Sequence, residues 1–117
     1  MNTEIKRIQG IVDEMIANSL HAKATDISVS IKRMDKNTVI CVKDNGSGMD
    51  EKTRAKIEDT LNQPNRTDLE EYYGNLAGGN LSNSGLNMVG MLVDYGFVET
   101  SPKGTTITVH RRHKQKP

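Results

Sequence analysis

The chain has 117 residues, enough for one hydrophobic core and too few for two. Its formal net charge of +1 gives no whole-surface attraction to nucleic acid or an anionic membrane, and one phenylalanine with three tyrosines leaves almost nothing on which to stack bases. No apolar run approaches a spanning helix, none follows a basic start as in a signal peptide, and the single Cys41 cannot close an internal disulfide, so a soluble cytoplasmic protein is expected.

Ile5, Ile8, Ile11, Val12, Met15, Ile16 and Leu20 recur at helical spacing and predict an amphipathic helix that Asn2 or Thr3 can cap. Ile27, Val29 and Ile31 alternate with polar residues, as in a half-buried strand. Lys36-Asn37 reads as a hairpin turn and Val39 to Val42 as a more central strand, with Cys41 an inert buried thiol. Asp44 to Asp50 is a loop, after which Asp50 can cap a second helix reaching Leu61 with Ile57 and Leu61 inward. From 62 to 83 Asn, Gly, Thr, Glu and Ser dominate, Pro64 interrupts and Gly78-Gly79 offers a hinge. This predicts a lid with one short helical turn around Leu69 to Tyr73.

A third helix is predicted from Ser84 to about Tyr95, carrying Leu86, Val89, Leu92 and Val93 and ended by Gly96. Phe97 to Thr100 and Thr105 to Val109 form a closing hairpin through Pro102-Lys103-Gly104. Residues 111–117, with Arg111, Arg112, His113, Lys114 and Lys116, read as a frayed basic tail, a solubilising end before a nucleic-acid or acidic-partner arm. Helix, two strands, helix, lid, helix, two strands is an α+β order. It implies one domain over 1–117, a two-layer α/β sandwich with three helices on one face of a mixed, mainly antiparallel sheet.

Three stretches carry chemistry. Glu14 and Asn18 are four apart and project from the same side of the first helix. An Asn carbonyl oxygen is a hard ligand suited to Mg²⁺, and a carboxylate one turn away can orient and deprotonate a water. Alone, the pair reads more simply as a solvated helix face. Asp44-Asn45-Gly46-Ser47-Gly48-Met49 follows a strand directly. An aspartate at the bottom of an apolar pocket accepts a hydrogen bond from the adenine amine and rejects a guanine carbonyl. Gly46 and Gly48 permit positive φ and close approach to a flat base, and Met49 supplies an adaptable wall, although a tight turn before a capped helix would look the same. Gly78 to Gly85 runs into a helix whose first N–H groups favour phosphate oxygens, with an ordinary capped helix as the competitor. Gly104-Thr105-Thr106 by itself is a hairpin entering a strand.

In this order, over about residues 4–110, the stretches resemble the boxes of the GHKL superfamily, the ATP-binding Bergerat fold of gyrase, a heat-shock chaperone, sensor histidine kinases and mismatch-repair MutL. Glu14 to Thr25 is similar to the N box of MutL, which implies Asn18 as the Mg²⁺ ligand and Glu14 as general base. His21 stands where that branch has Asp and where sensor kinases often hold a phosphate-side Lys, so it reads as a phosphate contact or a surface histidine. The resemblance further implies an ATP site of Asp44, Gly46, Gly48 and Met49 around adenine, Gly79, Ser84, Gly85 and Leu86 at the phosphates, and Thr105 supporting them. Asn83 and Asn87 replace two glycines of the second glycine box.

The activity implied is Mg²⁺-dependent ATP hydrolysis, slow or dependent on a protein partner, because relatives that turn over well add a lysine-bearing domain for which this chain has no room. Two alternatives stay open: a trans-acting protein kinase of the histidine kinase or anti-sigma type, and a non-catalytic nucleotide sensor.

Overall fold

The computed structural model describes residues 3–63 and 85–113. Helix α1 (Thr3–His21) buries Ile8, Ile11, Met15 and Ser19, a stripe stepping by three or four residues along one face. Its expected ends rotate out of that face: Ile5 is 41% and Leu20 58% exposed, so the buried line closes on Ser19 and not on Leu20. The helix stops at Lys23, held at φ 64°, where Ala24 N–H bonds Ser19 O at 3.1 Å and Lys23 N–H bonds Leu20 O at 3.0 Å.

Strands β1 (Ile27–Arg33) and β2 (Asn37–Asp44) form the first hairpin, and β3 (Tyr95–Ser101) and β4 (Gly104–Arg112) the second. The sheet order is β1-β2-β4-β3 and all three ladders are antiparallel, so the mixed character expected narrows, among the described residues, to an antiparallel sheet. Helices α2 (Glu51–Leu61) and α3 (Gly85–Leu92) join α1 on the sheet. Ile40 and Val42 of β2, Val98 of β3, and Ile107 and Val109 of β4 meet Ile11, Met15, Leu61, Met88, Val89 and Leu92 in one core. Asp50 caps α2 as expected, its Oδ1 accepting Thr53 N–H at 2.7 Å.

Two boundaries differ from expectation. The third helix ends at Leu92, and Tyr95-Gly96 opens β3 instead of closing the helix. Tyr95 stacks on His110, its ladder partner, at 4.4 Å, while Gly96 lets Leu61 pack against the strand. The supposed tail also begins late, because β4 runs through Arg112. Arg111 is buried: its Nε and Nη2 each donate to the Glu4 carboxylate at 2.8 Å, and Nη1 to Leu92 O. A buried guanidinium persists only when paired this fully. Residues 114–117 lie outside those described.

On the open face of the sheet Phe97 packs edge-on to Tyr95 and His110, and Cys41 is half-buried there, more accessible than the buried thiol expected. The β3 edge is closed by α2: Glu58 accepts Val98 N–H at 2.9 Å, while Asn62 accepts Gly96 N–H and donates to Gly96 O. The β1 edge has no such cover among the described residues, and its burial is lower than the alternation predicts, with only Ile27 half-buried. No described helix is long and apolar enough to cross a membrane.

Candidate functional site

Asp44 is the last residue of β2 and 7% exposed. Its ladder neighbours are Ile27 on one side and Thr105 on the other, so its side chain points with Ile40 and Val42 toward the helices. Three donors hold the carboxylate. Ser19 Oγ donates to Oδ2 at 2.6 Å from the end of α1, and Oδ1 accepts Gly46 N–H at 2.8 Å and Thr105 N–H at 3.2 Å. An ionised carboxylate offers about four acceptor directions. One remains, on Oδ2.

The loop after Asp44 is fastened at both ends. Asn45 N–H bonds Asp26 O, and the Asn45 side chain accepts Thr25 N–H at 2.9 Å and Asp26 N–H at 3.0 Å. Ser47 N–H bonds Ala22 O at 3.0 Å, which lays the loop under the end of α1. Gly46 is needed there for space, since a Cβ would stand 2.7 Å from Ala22 O. Gly48 takes φ +78°, against the Ser101 carbonyl. Of the two glycines that permit a positive φ, Gly48 takes it and Gly46 does not.

Met49 is half-buried against the core, and its N–H donates to Thr100 Oγ1 at 3.0 Å. Thr100 Oγ1 in turn lies 2.9 Å from Thr105 Oγ1. Hydrogen bonds thus link Ser19, Asp44, Gly46 and Thr105, and the threonine hydroxyls carry the link on to Met49. Ser19, Thr100 and Asn45 join the site only in the fold. Ser19 was visible in principle, as the next step of the stripe Ile8, Ile11, Met15; Thr100 and Asn45 carry no local signal beyond their residue type.

Asn18 and Glu14 are half-buried on α1, Asn18 beside Ser19 and Glu14 one turn earlier. Neither side chain has a hydrogen bond or ion pair among the described residues. His21 is exposed in the last helical turn. Gly85 opens α3 with nothing within 4 Å of a Cβ placed on it, while Leu86 packs partly buried against the core. No described hydrogen bond joins either residue to the Asp44 network. Gly79, Ser84 and the expected lid from residue 64 on lie outside the described residues. Asn62, assigned to the lid's start, instead caps α2 and holds Gly96.

The model of the histidine kinase-, DNA gyrase B- and HSP90-like ATPase family matches residues 3–115. The chain belongs to this family. A comparison with characterised proteins returned no match. As a GHKL-type domain it binds ATP, which accords with a carboxylate held at the end of a central strand beneath the end of α1.

Proposed function

We propose that this GHKL-type domain binds Mg²⁺-ATP with Asp44 reading adenine and hydrolyses it slowly, or at a rate set by a protein partner. What carries the reading is the single open acceptor direction on Asp44 Oδ2, left after Ser19, Gly46 and Thr105 have oriented the carboxylate. The adenine exocyclic amine satisfies it, whereas a guanine carbonyl would set lone pair against lone pair. Gly48 and Met49 flank the base, and Thr105 holds the carboxylate from the neighbouring strand β4.

The donor set on α1 fits Mg²⁺. Asn18 offers a neutral hard oxygen and Glu14 a carboxylate one turn away, both half-buried and without side-chain partners among the described residues. When bound with ATP, the ion would neutralise charge on the phosphate oxygens. Asn18 holds that end of the nucleotide; Glu14 orients a water and accepts its proton; His21 and the start of α3 at Gly85 supply phosphate contacts, together with Gly79 and Ser84.

Calorimetric titration of Mg²⁺-ATP against the native chain, Asp44→Asn and Glu14→Ala tests this. Saturable binding should weaken at least about a hundredfold in Asp44→Asn, which loses the acceptor. Glu14→Ala should bind but release no phosphate. Binding unaffected by Asp44→Asn would remove the adenine assignment. Native binding without phosphate release, even with candidate partners, would leave a nucleotide sensor. Label passing to a partner protein would make the domain a kinase.

A further inference from the structure

The two edges of the sheet are treated differently. At β3 three outward backbone groups, the Gly96 N–H and C=O and the Val98 N–H, are occupied by Asn62 and Glu58. At β1 the strand is seven residues long, pairs only with β2 among the described residues, and holds Val29 at 40% and Ile31 at 45% exposure on the side facing the helices. Among the described residues this leaves a row of unpaired N–H and C=O groups beside uncovered β-branched residues, which matches one kind of occupant, another extended strand.

We propose that β1 pairs with β1 of a second copy, antiparallel about a two-fold axis at Val29, joining two sheets into one. The sequence is self-complementary in that register. Val29 faces its own copy, Ile27 faces Ile31, and Ser28 faces Ser30, so apolar residues meet on the helix side and small polar ones on the other. Beyond them Asp26 faces Lys32 twice, once at each end, and Arg33 faces Thr25. No like charges stand opposite one another. Asp26 and Lys32 are both exposed. A two-fold interface uses the same patch on both copies and closes, so it protects the edge without propagating a filament. With part of the β3 edge occupied by α2, β1 is the more open edge among the described residues.

The experiment is sedimentation equilibrium over a concentration series reaching hundreds of micromolar, with circular dichroism to confirm that each variant is folded. The native chain should approach twice its 13.0 kDa mass. Asp26→Lys and Lys32→Asp should each raise the dissociation constant at least about tenfold, because the symmetry places two like-charge pairs in the interface. The double variant Asp26→Lys with Lys32→Asp restores both pairs and should dimerise like the native chain. Val29→Glu, at the axis, should be monomeric and folded, since its side chain is exposed in the single chain. A native chain that stays monomeric throughout overturns the proposal. So does a dimer indifferent to the single reversals, or one that the double reversal fails to restore. ATP binding is not a readout in any of these, so failure here is separate from failure of the nucleotide assignment.

Discussion

The Ser19 hydroxyl and the Asp44 carboxylate meet at 2.6 Å, both nearly buried, and tie the end of the first helix to the end of a central strand. The bond orients the carboxylate and leaves its last acceptor direction at a defined place. Ser19→Ala removes the donor and leaves Oδ2 buried and short of a partner, a loss of about 1.5–3 kcal/mol for a charge-assisted bond. The expected outcome is a lower urea midpoint together with weaker ATP binding. Ser19→Thr, which retains the hydroxyl, should recover binding more than it recovers stability. Calorimetry and urea titration on the two variants check this; unchanged ATP affinity in Ser19→Ala would show that the hydroxyl does not position Asp44.

Gly46 offers a steric counterpart. A methyl group there would sit 2.7 Å from the Ala22 carbonyl oxygen and 2.9 Å from its Cβ, so the loop or the end of α1 must move. Gly46→Ala should destabilise the fold by about 1–3 kcal/mol, as over-packing does. The same displacement carries the Asp44 loop with it, so ATP binding should fall as well. Thermal unfolding with and without ATP separates the effects: the midpoint falls, and so does the nucleotide-induced rise.

Much of this arrangement was legible because it is local. The stripe of Ile8, Ile11 and Met15 and the alternation of Val39 to Val42 show their periods within a few residues, and Asp44 to Gly48 keeps its glycines at the loop's tightest points. What escaped depends on distance along the chain. Ser19 acquires its role from a residue 25 positions away. Arg111 reads locally as the start of a charged tail, and its buried place depends on Glu4, 107 positions earlier. Alternation at Val29 and Ile31 tells which side chains share a face, but not whether the helical layer extends far enough to cover them.

Lys23 is the one described non-glycine residue at positive φ, at 64°, where it ends α1. An L-residue with a side chain is strained there by about 1–2 kcal/mol relative to glycine. Glycine's larger entropy loss on folding offsets part of this, so Lys23→Gly should stabilise by about 0.5–1 kcal/mol, a rise of a few degrees in Tm. The Ala22 carbonyl that receives Ser47 N–H should stay in place, and ATP affinity should not change. Differential scanning calorimetry checks it; a lower Tm would mean that the lysine side chain contributes more than its backbone strain.

Glu58 supplies a pH dependence whose sign follows from its partners. The Val98 amide foremost, and the Arg54 guanidinium at 3.0 Å, hold its carboxyl below the ordinary value of 4.5. The folded state thus favours the ionised form more than the unfolded state does. That stability is fully present above the unfolded value and drains away as pH falls through the lower folded one. Asp50 and Glu51, lowered by the Thr53 amide and by Arg54, add slope of the same sign. The urea midpoint should therefore fall as the pH drops through and below the ordinary carboxylate value of 4.5. Glu58→Gln keeps an acceptor for Val98 N–H but cannot titrate. It should be less stable than the native chain at neutral pH and should lose less on acidification, so the two curves converge at low pH. Parallel curves would assign the acid sensitivity to other carboxylates and leave Glu58 only an acceptor for the β3 edge.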